Sequence, residues 1–399
     1  MDSILPQPDL LEPGPSLEGL RVLHVVDNLK LGGTQALGLR MLTWLSQAGC
    51  QVKLCVLSRS PRDHQWPWLP DVVDLDFSGD YRVPFALSRC AGKFREVVED
   101  FHPDLIHSYL WTSDVVAALS NRGARLPHVV HIVDRRSWQA SRAIKARIRQ
   151  WMTRRAFARS QPRFLAVSAA AGDFAVEHLR LDPGRVGVAY NSIDVEGYDG
   201  VGPSAWIEKS DRPLTLGIAS RIEPEKGHAI LLDALSRVAD RGNIRLRIAG
   251  EGSSRPMLEQ QVQRLGLCEV VQFIGWAESF QKFMGEIDVF VVPSVDSEGL
   301  PTTILEAMAS RRLVIATDVG GAREAIRNRV DGLMVPPGSA PEFAAAIEAV
   351  VNDRPAVRRM IESARTRVAR DFSTTKMMQT VVESYRAAIA ERQPMGVAP

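Results

Sequence analysis

Short apolar runs rich in β-branched residues alternate with helix-period segments along this chain, and no other feature restricts its fold as tightly. The first run, residues 21–27 (RVLHVVD), ends at the turn Leu31-Gly32-Gly33-Thr34; a helix-period segment follows over 35–48 and a second run over 51–57. Strand, helix and strand at that spacing imply a parallel sheet with crossover helices. Residues 104–107, 128–133, 163–167 and 186–190 continue the pattern. It breaks once, at 197–213, where Gly, Pro, Ser and charge gather, then restarts at 214–219, 245–249, 270–274, 289–292 and 313–316. The expectation is an α/β fold of two Rossmann-like domains with parallel sheets facing a cleft, the ligand at the carboxyl ends of the strands. The N-terminal domain is expected over 19–200, behind a disordered leader at 1–18, and the C-terminal domain over 211–371. A final helical segment, 375–391, is long enough to pack back on the first domain.

A length of 399 residues fits two cores rather than one. With 49 Lys and Arg against 47 Asp and Glu, the chain has no overall field that would hold nucleic acid or a membrane. Its four cysteines, Cys50, Cys55, Cys90 and Cys268, form no CxxC pair, so reduced buried thiols are expected. The opening segment is Pro-rich and mildly acidic and lacks the basic and apolar regions of a signal peptide. No run of 18 apolar residues occurs, and a cytoplasmic protein is expected.

The most informative stretch for chemistry is 292–309, VPSVDSEGLPTTILEAMA. A strand ends at Pro293-Ser294, a loop follows, and Pro301 and Thr302 open a helix, where a proline loses no hydrogen bond. The N–H groups and dipole of that terminus suit a phosphate. Glu298 precedes the helix and Glu306 lies inside it, eight residues on, so both can face one ligand. The plain alternative is a helix start decorated with acids to match its dipole.

A second stretch, 219–228 (ASRIEPEKGH), leaves a strand with Arg221 and reaches Lys226 before a helix. Two cations there would neutralise a diphosphate, Arg as a fork and Lys as a point charge; otherwise they pair with Glu223 and Glu225 in a solvated loop. Gly250-Glu251-Gly252 begins like a dinucleotide fingerprint but carries Arg255 where the third glycine belongs, which favours a bare turn. Phe273-Ile274-Gly275-Trp276 either flanks a nucleotide base or packs in the core. Gly32-Gly33 either lets a backbone approach a ligand or makes an ordinary tight turn.

Together these pieces resemble the retaining, nucleotide-sugar-dependent glycosyltransferases of family 4, which have the two-domain GT-B fold. The likeness runs from about residue 21 to 391 and includes LAVS at 165–168, PGRVGVAYNSID at 183–194, IATDVGGAREAI at 315–326 and DGLMVPPG at 331–338. It implies that Arg221 and Lys226 bind the donor diphosphate, that Glu306 holds the ribose and that Glu298 lies by the sugar hydroxyls. The catalytic set is then Glu298, Arg221 and Lys226. Gly32, Gly33, Ile274, Gly299, Leu300 and Thr302 complete the donor site. This chain departs from the family at Asn191-Ser192-Ile193-Asp194, where many members have glycine second, and at Gln35, where a glutamate is common. His131 is shifted by about two positions from the family's histidine, with Asp134-Arg135 near that place. His131 is either a sugar contact or a core strand residue.

The one Asp-x-Asp triplet, Asp74-Leu75-Asp76, has no phosphate-binding context and reads as surface charge. Metal-independent transfer is expected, with no metal site and no cofactor beyond the nucleotide-sugar co-substrate. The acceptor is expected to be a saccharide or lipid-linked saccharide of bacterial-type polysaccharide or glycolipid synthesis. Competing readings are a nucleotide-sugar epimerase and a catalytically inactive GT-B scaffold. One local feature departs from the balanced charge: 135–172 holds ten Lys or Arg and no acid. Within it, 142–159 has helical period, with Ile144, Ile148, Trp151 and Met152 on one side. It is either an amphipathic helix for an anionic membrane surface, on the inner face of the cytoplasmic membrane, or a crossover helix whose Ile and Trp pack on the sheet.

Overall fold

A computed structural model describes residues 17–30, 33–59, 72–77, 84–121, 126–133, 144–208, 212–296 and 298–392. Gly32, Asp134, Arg135 and most of the expected leader lie outside these residues. The chain forms two units: one holds Ser192–Thr374, the other runs up to Asn191 and takes in the C-terminal segment from Thr375.

The first unit in sequence carries seven strands, β1 (Arg21–Val26), β2 (Gln51–Val56), β3 (Val72–Asp74), β4 (Leu105–Tyr109), β5 (His128–Ile132), β6 (Arg163–Ala166) and β7 (Val186–Val188). They form one sheet in the order β3-β2-β1-β4-β5-β6-β7, its described pairings all parallel. Crossover helices cover both faces of such a sheet, so β4 and β5 are buried along their whole length. The helix Thr374–Ala390 belongs here for most of its length: Tyr385 is fully buried against His107, and Glu391 takes Arg185 at 2.8 Å and Arg163.

The second unit carries β8 (Leu214–Ala219), β9 (Ile244–Ala249), β10 (Val271–Gly275), β11 (Val289–Val292), β12 (Leu313–Thr317) and β13 (Leu333–Val335), in the order β10-β9-β8-β11-β12-β13. Leu216, Ile218, Leu246, Ile248, Val289, Val291, Leu313 and Ile315 lie in its core, each worth about 1.5–3 kcal/mol on burial. Strand order reverses between β8 and β11, which opens a crevice at their carboxyl ends.

The domain change falls at Asn191/Ser192, earlier than the Gly- and Pro-rich stretch suggested. That stretch is fastened to the second unit. Buried Asp288 accepts from Ser204 Oγ at 2.8 Å, from Trp206 N at 3.2 Å and from Arg212 at 2.8 Å, while buried Arg312 donates to Gly202 O at 3.0 Å. The strand β3, with three residues at a sheet edge, carried too short an apolar run to be read in advance. Its last residue, Asp74, and the nearby Asp76 are exposed, and Asp74 caps the turn by accepting from Asp76 N at 2.8 Å. Among the described residues no helix is long and apolar enough to cross a membrane. Cys50, Cys55 and Cys90 are buried free thiols, whereas Cys268 is exposed.

Candidate active site

Three loops meet at the β8/β11 reversal. The loop after β8 carries Ser220 to Gly227, the loop after β11 carries Pro293 to Pro301, and the loop after β12 carries Asp318 to Gly321. Main-chain bonds lace them together: Val295 N donates to Glu225 O at 2.9 Å, and Gly321 N to Gly299 O at 2.8 Å. Two glycines allow that approach. A Cβ on Gly227 (φ 72) would lie 1.8 Å from Pro293 O, and one on Gly320 (φ 53) 1.8 Å from Glu298 O. Neither contact is survivable, so these positions need glycine for space as well as for backbone angle. Thr317 Oγ1 donates to Ser294 O at 2.5 Å, fixing the start of the second loop.

These loops bring Lys226, Ser294 and Glu298 to one point. Lys226 Nζ donates to Glu298 Oε1, and Ser294 Oγ donates to the same oxygen at 2.8 Å. Both charged side chains are only partly exposed, 16% for Lys226 and 12% for Glu298, so their charges act with less screening than at an open surface. The concavity around them is lined by the end of β8, the end of β11, Pro301 and Thr303. Pro301 stands in the N-cap position of the helix Thr302–Ala309, whose first N–H groups have no partner within the helix. A cation, a carboxylate and a helix terminus therefore border one small cavity.

The other expected donor residues are distributed around this point. Arg221 is exposed and pairs with Glu225 at 2.9 Å, as the solvated-loop alternative has it; Lys226 instead crosses to Glu298. Glu223 accepts from Ser253 Oγ at 2.6 Å, and Ile222 N donates to Glu251 O at 2.9 Å. The Gly-Glu-Gly turn thus braces the Arg221 loop. Leu300 and Gly299 are buried, and Thr302 is half-buried. Ile274 is half-buried at the end of β10 and Trp276 is exposed, while Phe273 packs against the core cluster. Glu306 accepts from Tyr198 Oη at 2.8 Å. In the sequence the one signal of Tyr198 is an aromatic residue inside a Gly-, Pro- and Ser-rich stretch. His228 is buried beside Lys226, and burial with that neighbour pushes it down to about 4. In the other unit, Gly33 starts a helix with nothing within 4 Å of the place a Cβ would take.

His131 lies in the core, 1% exposed, as the strand reading had it. It belongs to a stack that crosses β1, β4 and β5, with His24 and His107 centroids 5.1 Å apart and His107 and His131 5.3 Å apart. His107 Nε2 is hydrogen-bonded to His131 Nδ1 at 3.2 Å, His107 Nδ1 meets Tyr385 Oη at 2.6 Å, and His24 Nδ1 meets Tyr109 Oη at 2.8 Å. Burial pushes His24 and His131 down to about 3 and His107 well below its usual value. Neutral rings so enclosed hold strands together rather than meet a sugar.

The basic helix Ile144–Ser160 corrects one alternative. Over its described side chains, 147–160, the buried residues are Thr153, Ala156, Phe157 and Ser160, and Thr153 Oγ1 accepts from Trp111 Nε1 at 2.8 Å. Ile148 and Trp151 do not pack on the sheet: they are 52% and 60% exposed. Arg147 and Arg155 are exposed beside them, and Arg155 lies 5.6 Å from the Trp151 ring centroid. The 3.6-residue period turns one narrow face inward and leaves Ile148 and Trp151 on the other.

Comparison with known proteins agrees with this architecture. The family described as Glycosyltransferase Family 4 matches residues 31–196, and the one described as Glycosyl transferases group 1 matches 213–353. A D-inositol 3-phosphate glycosyltransferase of Geodermatophilus obscurus is 28% identical over 313 residues, 73% of this chain and 68% of that protein. The putative glycosyltransferase EpsF of Bacillus subtilis is 26% identical over 308 residues, 75% of this chain and 79% of that one. In structure the chain is similar to Anabaena HepE, solved in complex with UDP, with a TM-score of 0.77 and 21% identity, covering 92% of this chain and 100% of HepE. The two family matches together take in more than half of the chain, one in each domain, and the chain belongs to the family 4 glycosyltransferases, the group 1 glycosyl transferases, with the GT-B fold.

Proposed function

We propose that this glycosyltransferase moves a sugar from a nucleotide-diphospho-sugar to a saccharide or lipid-linked acceptor, with retention at the anomeric carbon and without a metal ion. The observation that carries this reading is the meeting of Lys226, Ser294 and Glu298 beside a helix N-terminus. The departing group is a nucleoside diphosphate, which gains negative charge as the bond from the anomeric carbon to its oxygen breaks. Lys226, Arg221 and the N–H groups at Thr302 supply positive potential to that group. The acceptor oxygen forms its bond on the same face, and its proton passes to the leaving phosphate oxygen. Glu298, released from Lys226 when the phosphate takes the cation, accepts hydroxyls of the sugar, and Glu306 accepts from the ribose. Complexes of HepE with UDP and with UDP-glucose make a nucleotide sugar the natural first donor to try.

The test is product analysis with UDP-, GDP- and ADP-sugars. An axial donor sugar that gives an axial product, with turnover unchanged in EDTA, is expected. An inverted product overturns retention, EDTA loss restored by Mg²⁺ overturns metal independence, and sugar isomerisation without acceptor favours an epimerase.

A membrane-linked acceptor is the second element of the reading, with the protein working in the cytoplasm at the inner face of the membrane. Exposed Ile148 and Trp151 between Arg147 and Arg155 support it, because apolar anchors among cations suit an anionic lipid surface. Sedimentation with vesicles of anionic against zwitterionic lipid checks it. A preference for anionic vesicles that falls in Trp151→Ala is expected; equal sedimentation with both removes the membrane element.

A further inference from the structure

Glu306 and Tyr198 are 108 residues apart and joined by one hydrogen bond of 2.8 Å, in which the phenol donates to Oε1. Tyr198 sits in the 3-10 turn Glu196–Val201, soon after the domain change at Asn191/Ser192, and is 7% exposed. The turn is fastened along the helix Thr302–Ala309 at more than this point. Arg365 donates both to Asp199 and to Ala309 O, and Arg312 donates to Gly202 O at 3.0 Å. Upstream, Ile193 N donates to Phe372 O at 3.1 Å. The phenol is therefore presented to Glu306 by a segment that is itself held by other bonds.

A glutamate on the second turn of a helix has three side-chain torsions to fix before it can accept two hydroxyls in one geometry. Ordering such a side chain at the moment of binding costs free energy, and a partner already in place removes that cost. A carboxylate has about four acceptor positions, and the bond from the phenol occupies one of them. We propose that Tyr198 is a positioning residue that holds the Glu306 carboxylate for the ribose diol of the nucleotide. The inference rests on the reading of Glu306 as the ribose contact and adds to it the residue that aims it. Ribose recognition then depends on the segment that follows the domain change as well as on the helix that bears the acid.

The experiment compares UDP, GDP and ADP by calorimetry on the full chain, then takes the tightest binder and its 2′,3′-dideoxy form. Tyr198→Phe keeps the ring and removes only the donor. It is expected to weaken the ribonucleotide about tenfold, the size of one hydrogen bond to a charged group, and to leave the dideoxy form within about twofold. Glu306→Ala is expected to abolish the preference for the ribonucleotide, and the double variant to bind no more weakly than Glu306→Ala alone. Thermal melts of each variant check that the domain is intact. Equal affinity of Tyr198→Phe and wild type for the ribonucleotide overturns the positioning role while Glu306→Ala still reports the diol contact. Equal loss for both nucleotides overturns it in favour of general damage. If Glu306→Ala leaves the preference untouched, the ribose contact itself falls, and if no diphosphate binds the wild type, the nucleotide reading falls with it.

Discussion

At the strand ends of the second domain a lysine and a glutamate meet in partial contact with solvent, whereas inside the first domain's sheet three histidines stack with almost no exposure. Both domains are parallel sheets under crossover helices, so the contrast lies in where polar groups stand along the strands. Beyond the carboxyl end, loops supply N–H groups and water, and a charge can persist. Inside the strands neither is present, and burial removes the charge instead: His24 and His131 are pushed down to about 3. The same kind of sheet thus offers one place for electrostatic chemistry, beyond its strand ends, and another, inside it, where titratable groups only add sensitivity to pH.

The sharpest break of that contrast is Glu298→Ala. We expect transfer to fall about 10³-fold in kcat, with binding of the nucleoside diphosphate within a few-fold of wild type. Unaltered turnover would refute a catalytic Glu298. Next comes Lys226→Met, expected to cost about 10²-fold in kcat because the leaving diphosphate loses its nearest cation.

Acid should act on the first domain before the second. A histidine held at a lowered value when folded titrates near 6.5 when unfolded, so protons favour unfolding as pH falls below 6.5 towards the folded values. Four buried histidines of the first domain act this way, against His228 alone in the second. Asp27 and Asp114, raised by burial, act in the opposite sense and offset part of the loss. The net expectation is a first domain that loses stability as pH falls below 6. Hydrogen exchange at pH 7 and 5 reads it by region: β4 and β5 should lose protection before β11 and β12, and the reverse order would break the comparison. The smallest effect is expected for Arg221→Ala, about tenfold or less in KM for the donor, since an exposed, screened cation contributes little.

Much of the fold was legible in the residues. Parallel strands buried on both faces must be nearly continuous apolar runs, and eleven such runs could be read from the chain; only β3 and β13, with three residues each, escaped being named as strands. The limits of the domains were less legible, because Gly, Pro and Ser in 197–213 mark irregular backbone without saying what it is fastened to. Asp288 and Arg312, which hold it, look like ordinary surface charges in sequence. The candidate site was legible as motifs but not as pairs. Glu223 and Glu225 are the acids nearest Lys226 in its own loop, yet its partner is Glu298, 72 residues away.

By itself, the sequence determined the alternation of strands and helices, the two domains, and the loops at which Arg221, Lys226, Glu298 and Glu306 stand, because backbone periodicity and turn chemistry are local. Only the tertiary structure decided which of those groups meet, that Tyr198 reaches Glu306, that His131 is enclosed in a stack, and that Ile148 and Trp151 face outward. Contacts and burial arise from elements distant in the chain, and no local pattern encodes which face of a helix the rest of the protein covers.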